Sequence, residues 1–232
     1  MKSYFEGRLQ ITKVGTDVST PLKRERGVPQ GSCLGPILFT LYIADLPNCL
    51  NHCNAHSYAD DCQLHLSFEP LNSDEAFARI NSDLESIRVW SVKHGLKLNS
   101  EKCTVLHVAA PPILQRLKDG NVQIMLEDEC LKVREQVKTL GVMLDSCLTF
   151  SDHVTYVTQR ALGRLRGLYR YRNILPETAK LQLVQSLILS VCHYCFPAYG
   201  NSISKENLER LQRIQNLAVR FVYNLRRRDH VS

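Results

Sequence analysis

An α+β fold is what this sequence predicts, and three observations carry the prediction. Short β-rich or alternating segments bounded by Gly, Pro and Asp recur through the first 150 residues. Beyond that point apolar residues return every three or four positions, the mark of helices with one buried face. Charge divides at the same place. Residues 151–232 hold 13 Lys+Arg against 5 Asp+Glu, and residues 1–150 hold 16 against 18. A basic helical part points to a surface that grips a polyanion, and the slightly acidic remainder to different chemistry. The expected regions are therefore 1–150 and 151–232.

At 232 residues, 44% hydrophobic and 22% charged, the composition is that of a globular chain able to bury a core. No stretch supplies the roughly 20 uninterrupted apolar residues of a membrane span. Gln185, Ser186, Ser190, His193 and Pro197 interrupt the most apolar run, residues 183–199, and no membrane partner is expected. The first six residues carry no apolar core of secretory type. Nine cysteines, without paired spacings, read as reduced thiols and an intracellular protein.

The elements follow in order. Residues 8–17 alternate and then turn at Gly15, predicting a short hairpin. Residues 27–35 are punctuated by Gly and Pro, and Pro36 opens a buried helix that should stop near Pro47. Residues 55–66 place two strand-like segments around Asp60-Asp61, a second hairpin. Ser73 is expected to cap a helix with Asp74 and Glu75 in its first turn. Phe77, Ile80, Leu84, Ile87 and Trp90 form its apolar face, and Gly95 follows its end. Strands are predicted at 103–108, 122–126, 130–134 and 137–144, with Pro111-Pro112 acting as a breaker. Val154, Val157, Ala161, Leu165 and Leu168 form one later helical stripe; Leu211, Ile214, Ala218, Phe221 and Leu225 form another. Arg210, Arg213, Arg220 and Arg227 fall mostly opposite that second stripe.

Two motifs carry chemistry. Tyr58-Ala59-Asp60-Asp61 sits at a predicted hairpin tip, where a tight turn can aim two carboxylates at one place. Paired divalent cations roughly 3.5–4 Å apart, held by such oxygens, support phosphoryl transfer; the plain alternative is a polar turn. About thirty residues upstream, Arg26-Gly27-Val28-Pro29-Gln30-Gly31-Ser32-Cys33-Leu34-Gly35-Pro36 combines close-approach glycines with a helix start. Its alternative is an ordinary turn before a buried helix. The Cys49–His65 cluster of cysteines and histidines has no common zinc spacing, and Cys192-His193-Tyr194-Cys195 lacks a redox-fold context. No phosphate loop followed by Lys-Ser/Thr occurs.

In this order and spacing the two blocks resemble motifs B and C of reverse transcriptases. Leu96 to Cys103 after the 73–95 helix resembles motif D, and Val137 to Asp145 the primer-gripping motif E. The remainder, Tyr199-Gly200-Asn201 through Asn216, is similar to the region after the palm in non-LTR (LINE-type) retrotransposons of the Jockey and CR1 type.

The resemblance implies a partial right-hand polymerase, an antiparallel palm sheet backed by helices over 1–150 and a helical thumb over 151–232. It implies an RNA template, a DNA primer and deoxynucleoside triphosphates, with Mg²⁺ (Mn²⁺ also suits the donors) held by Asp60 and the more peripheral Asp61. Tyr58 would lie near the primer end, Gln30 and Gly31 near the incoming nucleotide and template. Lys102 would protonate or neutralise the departing pyrophosphate; Gly141, Arg210, Arg213 and Arg220 would contact primer or duplex. A nuclear location follows from the family. The sequence departs from the family pattern at its start. The strand carrying the motif A Asp and the basic fingers are not found, which predicts that this polypeptide alone does not polymerise. A non-catalytic nucleic-acid-binding remnant and a decayed retrotransposon reading frame are the alternative readings.

Overall fold

The computed structural model describes residues 2–24, 27–119, 123–226 and 228–229. It contains two compact units, residues 1–100 with 122–130 and residues 101–121 with 131–232. Each unit combines helices with small two-stranded sheets, the α+β class expected. The units divide near residues 100 and 131. Val142 and Phe150 are buried in the same core as the helix that begins at Ser151.

In the first unit the early hairpin is nested. Leu9–Gln10 pairs antiparallel with Leu22–Lys23, and Lys13–Val14 with Asp17–Val18 around the Gly15 turn. The Gly35–Tyr42 helix carries Pro36 in its first turn, where the missing N–H costs nothing. The Ser73–Lys93 helix organises the core, burying Ala76, Phe77, Ile87 and Trp90 in a unit that also buries Leu46, Cys53, Ile124 and Leu126. Ile80 and Leu84 of the predicted stripe are half-buried. Ser73 is not the cap. The Pro70–Asn72 turn runs straight into the helix, Ser73 already has helical backbone, and Asn72 stands before it without a side-chain cap bond.

In the second unit Thr104–Leu106 pairs in parallel with Lys132–Arg134, and Gln136–Thr139 pairs antiparallel with Val142–Asp145. Pro111-Pro112 starts a helix, Pro111–Asp119, rather than merely breaking a strand, because proline's fixed φ suits a first helical turn. The Ser151–Tyr169 helix buries Val154, Val157, Ala161 and Leu165, with Leu168 packed against the same core. The Lys205–Val222 helix adds Leu211, Ile214, Ala218 and Phe221. Leu225 lies beyond that helix, since Tyr223 caps it and Asn224 turns left-handed at φ 54°. Arg172 donates to the carbonyls of Arg220 and Leu225, satisfying acceptors that a helix end leaves open.

Between these helices run Glu177–Leu183, a wide π turn over Val184–Leu189, and Ser190–His193. The stretch Glu177–Tyr199, with mean hydropathy 1.3, is long and apolar enough to cross a membrane by length and composition. In this unit its Val184, Ile188, Cys192 and Tyr199 are core residues. The Asp145 carboxylate accepts N–H bonds from Cys147 (3.1 Å), Thr149 (3.0 Å) and Phe150 (2.6 Å), fixing the loop that delivers the chain to Ser151.

Candidate functional site

The Asp60 turn is built as a hairpin. Asn54–Tyr58 pairs antiparallel with Asp61–His65, and Tyr58 opposite Asp61 closes the ladder, leaving Ala59 and Asp60 as a two-residue turn. Ala59 lies in the left-handed region at φ 52°, where a bulkier or branched side chain is disfavoured. Residues directly opposite on paired strands share a face, so Asp61 stands beside Tyr58 while Asp60 projects from the turn. Asp60 and Asp61 are both exposed, and Tyr58 is 68% exposed. Lower on the hairpin the rings of His56 and His65 stack at 5.0 Å.

A buried carboxylate fixes the entry to this hairpin. Asp83, 0% exposed, accepts backbone N–H bonds from Asn51 (2.9 Å), His52 (2.9 Å) and Cys53 (2.6 Å), the three residues before Asn54. Burial alone would raise its pKa; the three backbone donors outweigh burial and hold it below the usual aspartate value. Burial, with Asp83 alongside, pushes the Cys53 thiol up to about 12. Sequence reasoning missed Asp83, although an acid in the midst of the Phe77–Trp90 apolar face was the available signal.

Gln30 and Gly31 occupy the turn before the Gly35–Tyr42 helix, both exposed, with Gly31 at φ 79°. Ser32 fastens this turn: its hydroxyl meets Tyr4 Oη at 2.6 Å and accepts the Gly35 N–H at 3.0 Å. A Cβ on Gly35 would come within 2.9 Å of that oxygen, so glycine is needed there for close approach. Arg26 and Arg227 lie outside the described residues.

The other expected residues belong to the second unit. Lys102 ends an exposed Ser100–Lys102 turn. Gly141 (φ 87°) and Leu140 (φ 45°) form the turn between Gln136–Thr139 and Val142–Asp145, both left-handed as a tight hairpin turn requires. Tyr194 covers this turn, its hydroxyl donating to Leu140 O at 2.6 Å, and a Cβ on Gly141 would meet the Tyr194 ring at 3.0 Å. Arg210 is tied to Asn207 and Thr155, and Arg220 to the carbonyls of Arg226 and Asp229. Arg213 pairs loosely with Glu209 at 3.7 Å and stays 70% exposed. Among the described residues no three His, Cys, Asp or Glu side chains gather into a metal-binding group. Asp60 and Asp61 fit a hard cation in donor type, as adjacent exposed carboxylates.

Residues 1–144 match the family described as Reverse transcriptase (RNA-dependent DNA polymerase). The chain belongs to that family. Among curated relatives, this reverse transcriptase-family chain is 31% identical over 236 positions to the Probable RNA-directed DNA polymerase from transposon BS of Drosophila melanogaster. That similarity covers 96% of this chain and 25% of the relative. The Probable RNA-directed DNA polymerase from transposon X-element of the same organism is 27% identical, over 96% of this chain and 24% of the relative. The RNA-directed DNA polymerase from mobile element jockey of Drosophila funebris is 26% identical, over 93% of this chain and 24% of the relative. The relatives are non-LTR retrotransposon proteins, and the family is one of enzymes. The chain spans about a quarter of the length of the curated relatives it matches. No solved structure matches it.

Proposed function

We propose that this chain supplies palm and thumb parts of a reverse transcriptase that extends a DNA 3′ end on an RNA template. The observation that carries the reading is the Tyr58–Asp61 hairpin tip, which presents two consecutive exposed aspartates in a reverse transcriptase-family chain. Asp60, at the apex, would hold a divalent cation such as Mg²⁺ or Mn²⁺, with Asp61 as the peripheral carboxylate of the same site. When bound, such cations activate the primer hydroxyl and neutralise the leaving pyrophosphate. Tyr58, beside Asp61, presents its ring to the primer terminus. Gln30 and Gly31 border the incoming nucleotide and template, the left-handed Gly31 leaving room for close approach. Lys102 offers an ammonium to the departing pyrophosphate. Gly141 shapes the turn that grips the primer, and Arg210, Arg213 and Arg220 line the duplex side of the thumb.

No third ligand joins Asp60 and Asp61 among the described residues, which favours a second reading, nucleic-acid binding without extension by the 232-residue chain alone. Both are tested together. Mn²⁺ titration should broaden the NMR signals of residues 58–61 in wild type and not in Asp60→Asn or Asp61→Asn. Broadening that survives both substitutions refutes the metal assignment. Primer extension by the isolated chain should yield no product; extension abolished by Asp60→Ala would refute the binding-only reading.

A further inference from the structure

The turn that carries Gln30 and Gly31 is pinned from outside at both ends. Its own bonds are local. Ser32 N–H donates to Pro29 O at 3.3 Å, and Gly35 N–H to the Ser32 carbonyl (3.3 Å) and hydroxyl (3.0 Å). Gly27 (φ 77°) and Gly31 (φ 79°) both lie in the left-handed region, and a Cβ on either would meet nothing within 4 Å. No neighbour crowds the backbone there, so packing does not fix it. Two long-range bonds do. Arg8 Nη2 donates to Gly27 O at 2.7 Å, and the Tyr4 hydroxyl meets Ser32 Oγ at 2.6 Å. Between these fixed points the chain passes from half-buried Val28 and Pro29 to exposed Gln30 and Gly31.

The two anchors are themselves held. Arg8 directly precedes the Leu9–Gln10 strand, its carbonyl accepts the Arg24 N–H at 2.9 Å, and its guanidinium lies 5.9 Å from the Phe5 ring centroid. Tyr4 belongs to the Lys2–Phe5 helix and meets the Phe5 ring edge-on at 5.1 Å. These bonds secure no apolar core, because Leu9, Val14, Val18 and Leu22 of the adjoining hairpin are 55–71% exposed. What they secure is order in the turn. Fixing a backbone costs conformational entropy, and glycine has the most freedom to lose. A loose turn gives up that freedom at each binding event and binds more weakly; a turn ordered during folding does not.

We infer that Tyr4 and Arg8 are positioning residues for the turn that faces nucleotide and template. Arg8 sets where the turn begins, and Tyr4, through Ser32, where it ends, so that Gln30 meets its ligand on a backbone already ordered. Both act through another group, the Gly27 carbonyl or the Ser32 hydroxyl, rather than on the substrate. The inference rests on the reverse transcriptase reading for what the turn touches, and on the bonds alone for how the turn is held.

The test uses the whole 232-residue chain. Backbone amide relaxation reads order at Gln30 and Gly31. Anisotropy reads binding of a fluorescent RNA–DNA hybrid, either blunt or with its RNA strand overhanging the DNA 3′ end. Tyr4→Phe and Arg8→Gln should each lower the order parameters of residues 30 and 31 from about 0.85 to below about 0.6. Tyr4→Phe, which changes no charge, should weaken overhang binding about fivefold while blunt-hybrid affinity and the Trp90 melting transition stay as in wild type. Arg8→Lys keeps a donor and should restore much of the order that Arg8→Gln loses. Wild-type order parameters in both Tyr4→Phe and Arg8→Gln overturn the anchoring. Equal loss for blunt and overhanging hybrids in Tyr4→Phe overturns the positioning role, since general weakening is what a merely structural residue produces. Gln30→Ala tells the two ideas apart. Wild-type overhang affinity in that variant, with the turn loosened in Tyr4→Phe, defeats the template reading of the turn and leaves the anchors standing. Should the wild-type chain bind neither hybrid, the nucleic-acid reading fails and the relaxation comparison still decides the anchors.

Discussion

Asp83 stands among Ala76, Ile80, Ile87 and Trp90 on a helical face that is otherwise apolar, with its carboxylate bonded to three successive backbone donors. Removing it leaves those buried N–H groups unpaired, at about 1–3 kcal/mol each. Asp83→Ala should therefore cost about 3 kcal/mol or more in urea unfolding, with faster amide exchange at residues 51–58. A loss within the scatter of surface substitutions would refute its anchoring role. The sign with pH follows from its depressed pKa. Asp83 contributes fully above the unfolded value of about 3.9, and the contribution is lost as pH falls through the lower folded value. The hairpin tip was legible because Tyr-Ala-Asp-Asp pairs turn-forming acids with strand-forming neighbours. Its anchor was not, because three N–H groups converging from a loop leave no trace in residue spacing.

At the scale of elements, the stripes from Phe77 to Trp90 and from Val154 to Leu165 could be read directly, since burial of one helical face dictates their spacing. Pro111-Pro112 was ambiguous, because the same residues that end a strand can begin a helix. The Lys205–Val222 helix is started by Ser204, whose hydroxyl accepts the Asn207 N–H at 3.2 Å. Ser204→Ala should cost about 1 kcal/mol, read by far-UV circular dichroism during thermal melting. Gly141→Ala faces both a φ of 87° and the Tyr194 ring at 3.0 Å. A loss of about 1–3 kcal/mol is expected, and an unchanged melting curve would show that the turn tolerates a side chain.

The molecule as a whole offers two compact units and one tryptophan, Trp90, which reports on the first unit alone. In the second unit burial pushes down the pKa values of His153 and His107, with Lys138 adding to the effect at His153. Each contributes fully above the unfolded value of about 6.5 and loses that contribution as pH falls through its lower folded value. Between about pH 7 and 5 the melting of the helix-rich second unit should fall while the Trp90 transition stays in place. Transitions that move together would show that the histidines do not set the acid response. Charge asymmetry foretold a basic helical half. It could not show which cations are already engaged within the protein, because that depends on pairings far apart in sequence such as Arg210 with Thr155.

The π turn over Val184–Leu189 behaves as a one-residue insertion that the helix has absorbed by widening. Excising a single residue there would let regular winding resume with Ser190–His193 near its present setting, whereas excising two would swing that segment by about 100°. Cys192 would leave the interior, and Tyr194 would lose its grip on Leu140. Length in this segment is thus a dial on how Tyr194 meets the Leu140–Gly141 turn, and relatives that vary it should also vary at position 194.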